Sequence, residues 1–158
     1  MKKIIYLIVG LILGAILMGT VVWNKMPDLM MINVESKHDF ESTVDKLEKA
    51  AYENGWEVVN KIDIQKRIMS FGYGDILRMQ IIEICHADHS YTILQDDENK
   101  KIAGIMPCRF AVYETYEGKV MISKMNIGLI SKMFGGVIQQ VMGGVAEEEK
   151  AMLKTVTE

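Results

Sequence analysis

Two cysteines and a pair of histidines carry the reactive chemistry of this 158-residue chain. In Cys85-His86-Ala87-Asp88-His89 a thiol precedes two imidazoles three residues apart, a spacing that brings His86 and His89 to one face of a helix starting there. The second thiol lies in Met106-Pro107-Cys108-Arg109. Cys85 closes one apolar run and Cys108 opens another, so the two meet if those runs are neighbouring antiparallel strands. Such a pair supports several chemistries. A disulfide between them would close a loop of about 24 residues and stabilise the fold by roughly 3.4 kcal/mol. A free dithiol could bind a ligand or exchange disulfides; Arg109 next to Cys108 either favours a thiolate or, as the plainer role of a strand-end arginine, pairs with a surface carboxylate. Two thiolates and the His86 and His89 imidazoles would also suit Zn²⁺ or Cu(I) as a borderline or soft metal. The plainer alternative is two cysteines packed as small hydrophobes and a solvated helix start with Asp88 as its cap. No Ser/His/Asp order, HExxH, GxxxxGK[ST] or strand-borne GxGxxG is present, so no catalytic residue set is assigned. The balance points to a binding or accessory module more than to an enzyme.

These residues sit in a chain that begins with a membrane segment. Ile4 to Trp23 is uncharged and mostly apolar, and at about 1.5 Å per residue it spans roughly 30 Å, one hydrocarbon core. Lys2 and Lys3 precede it and Lys25 follows. The two lysines favour a cytoplasmic start for residues 1–3, a single pass through the inner membrane over residues 4–23, and an extracytoplasmic, periplasmic domain. A signal peptide begins in the same way, but its apolar stretch is shorter, about 7–15 residues, and ends in a small-residue cleavage site not seen here. Residues 24–28, with Pro27 near their end, read as a hinge.

Residues 29–158 then form one domain. Leu29–Glu35 suits a first strand. Asp39 caps a helix to about Glu53, with Phe40, Val44, Leu47 and Ala51 on one stripe, and Asn54-Gly55 stops it. Trp56–Ile62 is a second strand, Asp63 caps a short helix, and Ile76–Cys85 is a third strand rich in β-branched residues. A helix is expected from Asp88 to Leu94, then a solvated loop over Gln95–Lys101. Arg109–Tyr116 and Lys119–Ser123 pair through Glu117-Gly118. Residues 126–154 are helical, broken at Gly135-Gly136 and Gly143-Gly144. The order β-α-β-α-β-α-β-β-α gives an α/β two-layer sandwich, a mixed sheet with helices packed on it. The apolar stripe through Ile138 and Met142 is wide enough to cover that sheet and to extend into a homodimer contact. The 13 methionines are core filler by their spacing. With 18 basic against 21 acidic residues and no basic stripe, nucleic acid is not an expected partner.

The pattern Phe40-x-x-x-Val44-x-x-Leu47 leading to Asn54-Gly55-Trp56 resembles the opening of the DUF302 domain family. Ile84-Cys85, Met106-Pro107-Cys108-Arg109, Val112-Tyr113-Glu114 with Glu117-Gly118, Met125-Asn126 and Met133-Phe134-Gly135 are similar to its later landmarks. The resemblance covers about residues 30 to 154 and implies the compact TT1751-like α/β fold of a family whose role is uncharacterised. Where that family commonly follows its first cysteine with Asn-Pro, this chain has His86-Ala87, which is what opens the metal reading. The function expected is thus a membrane-anchored module that binds a metal or small ligand, or takes part in thiol redox, through Cys85 and Cys108. The alternative is an interaction domain that self-associates through its C-terminal helices.

Overall fold

The computed structural model describes residues 2–158, so Met1 of the expected cytoplasmic terminus lies outside the described residues. A single helix, α1, runs from Lys2 to Met30. Its stretch Tyr6–Met30 is the one helix among the described residues long and apolar enough to cross a membrane, and none of it is buried against the domain. The hinge expected at residues 24–28 is absent: Pro27 stays helical. A proline costs a helix one hydrogen bond and crowds the carbonyl four residues back. Here the helix has only one more turn to run, and its last carbonyls are taken up from outside. The Asn126 backbone N–H donates to the Met30 carbonyl at 2.7 Å, and the Asn126 side-chain amide donates to the Leu29 carbonyl at 2.9 Å. The first strand accordingly starts late, at Met31 rather than Leu29.

After β1 (Met31–Glu35) come α2 (Phe40–Glu53), β2 (Glu57–Asp63), α3 (Ile64–Ser70), β3 (Met79–Cys85) and α4 (Ala87–Leu94). A 3₁₀ segment, Asp97–Ile105, leads into β4 (Cys108–Glu114), β5 (Val120–Met125), α5 (Ile127–Ser131) and α6 (Gly136–Thr157). The caps behave as their residue types dictate. Asp39 accepts from the Ser42 N–H and Asp63 from the Lys66 N–H, each satisfying an orphan donor of a first turn. Gly55 stands at φ 79° after α2, and Gly118 at φ 79° in the β4–β5 hairpin, conformations that cost a side-chain-bearing residue.

The five strands lie in the order β1-β5-β4-β3-β2. Every pairing is antiparallel, where a mixed sheet was expected. The reason lies in the connections: each step from β2 through β5 reverses direction, and β1 joins the free edge of β5 head to tail. Between Val58 and Asn60 the outermost strand β2 carries a bulge. Alternation sends Ile82, Ile84, Phe110, Val112, Val120 and Ile122 to one face, where they pack with Phe40, Val44 and Leu47 of α2, Ile93 of α4, and Ile138, Met142 and Val145 of α6.

Two further expectations change. Gln95–Lys101, read as a solvated loop from its polarity, is mostly helical, because one residue just beyond it, Ile102, is 1% exposed and pins the segment to the core. Gly143-Gly144 does not break the last helix. Packing of Met142 and Val145 on either side overrides the helix penalty of about 1 kcal/mol per glycine, and the real break is before Gly136, where Gly135 sits at φ 70°. Ile138 and Met142 are buried within the chain itself. They are therefore not free to form the homodimer contact expected of that stripe.

Asn126 serves two elements at once: it caps α5 through the Leu129 N–H and holds the end of α1. Asn126→Ala should lower stability by about 1 kcal/mol. Hydrogen exchange of the full chain in detergent should show faster exchange in the last turn of α1 and the first turn of α5, with α2 unchanged.

Candidate functional site

The ladder between β3 and β4 pairs Ile84 with Cys108. Cys85, one residue on, is therefore a diagonal neighbour of Cys108, as expected of an ending and a beginning strand that lie antiparallel. Both thiols line one small cavity of about 30 Å³, together with His86, His89, Trp56 and Met142. That volume holds about one or two waters and no organic molecule. Both cysteines are free thiols, and the Cys85 sulfur lies 3.3 Å from the Ser90 hydroxyl of α4.

His86 occupies the N-cap position of α4 without a side-chain capping bond, and Asp88, expected as the cap, falls inside the first turn. The helix starts earlier than its polar residues indicate because Cys85 and His86 are drawn into the cavity. His86 and His89 do share a face: their rings stack at 4.1 Å and 27°, and the edge of Trp56 meets His86 at 5.5 Å. The His86 Nδ1 is buried without a partner. Glu148 of α6 ties the wall together. It accepts from the Trp56 Nε1–H at 2.7 Å and lies 3.2 Å from His89 Nε2. An ionised carboxylate only accepts, so the His89 proton facing it belongs on Nε2.

Behind the thiols lies a buried ion pair. Lys124 on β5 is 4% exposed and Glu149 on α6 is 0% exposed, and the Lys124 ammonium donates to Glu149 Oε2. Glu149 Oε1 is buried with no ordinary hydrogen-bond partner. Burial pushes the Glu149 carboxyl above its usual range, opposed by Lys124 and by the Cys108 thiol. Burial likewise pushes the Cys108 thiol far up, and the negative Glu149 carboxylate adds to it.

Arg109 is not part of this cavity. Strand alternation turns it to the opposite face, where its Nε–H donates to Glu83 at 2.8 Å while the other Glu83 oxygen accepts from Asn60. Nor is the cavity a formed metal centre: Cys85, His86, His89 and Cys108 line it, yet among the described residues no three His, Cys, Asp or Glu side chains converge as a metal-ligand set. Sequence reasoning missed Trp56, Lys124, Glu148 and Glu149. The signal for the ion pair was present, since Lys124 shares the inward alternation of Val120 and Ile122, and Glu149 lies on the buried stripe of Met142, Val145 and Met152.

Gly55 closes the floor of the turn before Trp56. A methyl group there would stand 3.3 Å from His86 Nε2 in a left-handed backbone conformation. Gly55→Ala should cost about 1–2 kcal/mol and displace the His86 ring, read as a lower denaturation midpoint and shifted His86 ring proton resonances.

Comparison with known proteins places the chain. No curated protein matches it. Its fold is similar to a crystal structure of an uncharacterized conserved DUF302 protein from Bacillus stearothermophilus, with a TM-score of 0.71 and 18% identity over 80% of this chain and 98% of that one. The model of a domain of unknown function, DUF302, matches residues 32–158, essentially the whole sheet and the helices that cover it, and the chain therefore belongs to the DUF302 family.

Proposed function

We propose that this protein is a membrane-tethered thiol–disulfide exchange module, with Cys85 as the attacking thiol and Cys108 as the resolving one. The observation that carries this reading is the meeting of both free thiols at a cavity too small for an organic ligand. Both thiols are half-buried; desolvation and the nearby Glu149 charge hold Cys108 protonated, which leaves Cys85 to make first contact. In the first step the Cys85 thiolate attacks a partner disulfide, its S–S bond breaks, and one half leaves as a thiolate that takes a proton from water. The Cys108 sulfur then attacks the Cys85 sulfur of the mixed disulfide and expels the other half. Two electrons pass to the partner, which leaves as two thiols, while Cys85 and Cys108 become a disulfide. A reducing dithiol restores the pair. The apolar length of α1 and the lysines at its start support a domain held on the outer face of the membrane, where disulfides persist.

The test is exchange with glutathione disulfide on the full chain in detergent, followed by alkylation and mass analysis. Wild type should yield an internal disulfide. Cys108→Ser should instead accumulate a glutathione adduct on Cys85, and Cys85→Ser should give neither product. Two thiols that stay free at every glutathione ratio, or an adduct on Cys108 alone, would end this reading.

A further inference from the structure

We propose that the corner between α5 and α6, Lys132-Met133-Phe134-Gly135, is a second membrane contact that seats in the lipid interface beside α1; this rests on α1 crossing the membrane, as proposed above. β1 starts at Met31 with no linker after α1, and Met31 pairs with Met125 of β5. That end of the sheet also holds Cys85 at the end of β3 and Cys108 at the start of β4. α1 projects away from it, because none of the apolar stretch Tyr6–Met30 is buried against the domain. Nor does α1 swing freely, since Asn126 holds the Leu29 and Met30 carbonyls and α5 begins at the next residue. A bilayer crossed by α1 therefore lies beyond the sheet end that carries the thiols, on the side of α5.

α6 runs from this end of the sheet to the other. Near its C-terminus the Val156 carbonyl accepts from the Lys37 N–H, just past the far end of β1, while Met142 and Val145 line the cavity at Cys85 and Cys108. The helix nevertheless starts at Gly136. At the usual rise per residue, its first turns overhang Met142 by about 9 Å on the side where α1 departs. By the same rise Trp23, which marks the edge of the apolar segment, lies about 12 Å before Met31. The corner that precedes Gly136 thus comes down close to the level of Trp23. Its side chains suit that depth. Met133 is 81% exposed and Phe134 beside it is exposed as well, although Ile130 and Ile138 on either side are buried. Gly135, at φ 70°, turns the chain there, so the pair stands on the outside of a bend. In water two large apolar side chains on a bend gain nothing. At the boundary of headgroups and acyl chains, about 5–10 Å deep, both are covered, and the exposed Lys132 reaches lipid phosphates.

The test is tryptophan emission of the full chain reconstituted in vesicles of phosphatidylcholine and phosphatidylglycerol, with lipids brominated near the headgroup or near the chain ends as quenchers. Trp23→Phe removes the emission of the span and leaves the buried Trp56 as a constant background. Met133→Trp in that variant changes no core residue. Its emission should shift to shorter wavelength, be lost to lipid brominated near the headgroup far more than to lipid brominated at the chain ends, and be screened from acrylamide. Tyr116→Trp in the same background, in the hairpin at the opposite end of the sheet, should be quenched by acrylamide and by neither lipid. Adding Lys132→Glu and Phe134→Asp to the Met133→Trp variant should lift the corner into water and restore acrylamide quenching. Emission from the Met133→Trp variant that acrylamide quenches and lipid does not would overturn the proposal, with the anchor left standing if Trp23 of wild type is quenched by lipid. Emission shielded from acrylamide and lipid alike would mean that protein covers the corner, which overturns it equally. A wild-type Trp23 untouched by either lipid would remove the anchor, and this contact with it.

Discussion

Lys124→Met should destabilise the domain by about 3–5 kcal/mol at neutral pH, measured by denaturant unfolding of the full chain in detergent. The substituted side chain fills much the same space, so the cost comes from electrostatics: Glu149 keeps its place at 0% exposure but loses the Lys124 ammonium that donates to it. Removing both partners should cost far less. In Lys124→Met/Glu149→Met no charge is left in the core, and stability should return to within about 1–2 kcal/mol of wild type, or exceed it, because apolar replacement of a buried pair is commonly neutral or favourable. A single variant as stable as wild type would mean that water reaches the pair.

The penalty should also depend on pH, in a direction fixed by burial. The Glu149 carboxyl has an ordinary value of 4.5, raised in the folded state. Below 4.5 both folded and unfolded chains hold the proton, so the group's contribution is fully present. As pH climbs from there toward the raised folded value, the unfolded chain has released its proton while the folded chain still holds it. The unfolded state then binds fewer protons, and stability falls. Lys124→Met raises the folded value further and widens that window. Its loss should be small in acid and grow through neutrality, while Glu149→Gln should flatten the slope.

Phe110→Ala should cost a similar amount, about 3–5 kcal/mol, for a different reason. Phe110 is 0% exposed at the centre of β4, paired in register with Ile82. Its ring lies in the core shared with residues of α2 and α6, and neighbours anchored in a five-stranded sheet cannot close the space it would leave. The loss should appear as a lower midpoint with an unchanged denaturant slope, and should not vary with pH as the Lys124 penalty does. Tyr116→Ala, at a hairpin position 92% exposed, should leave the midpoint nearly where it was, which separates packing from mere aromatic content.

What could be read from residues alone followed locality. Asp39, Asn54-Gly55 and Asp63 announce helix ends because the capping groups lie within three or four residues of the donors or carbonyls they serve. The meeting of Cys85 and Cys108 was also legible, since a strand that ends and a strand that begins share an end of an antiparallel pair. The mixed sheet was wrong for a complementary reason: strand direction depends on how each connection returns, and element order does not record it. Gln95–Lys101 is solvated as its polarity indicates, but its helical turns were not legible because their buried anchor, Ile102, lies just outside the polar run. Lys124 and Glu149 were passed over because isolated charges are normally read as surface. Each, however, breaks an apolar face at a position where the face cannot reach water, and two such breaks of opposite sign are a reason to expect contact.

The bulge between Val58 and Asn60 bears on crowding. A chain with an apolar stalk such as α1 is confined to wherever the stalk partitions, and confinement of that kind raises the effective concentration of identical domains to the millimolar range or so. At such densities the outer edge of β2 is the hazard, because its unpaired N–H and C=O groups could template the same edge of a neighbour. The bulge throws that edge out of register, and the exposed Glu57 and Lys61 place charge along it. The domain is thereby equipped to remain solitary in company.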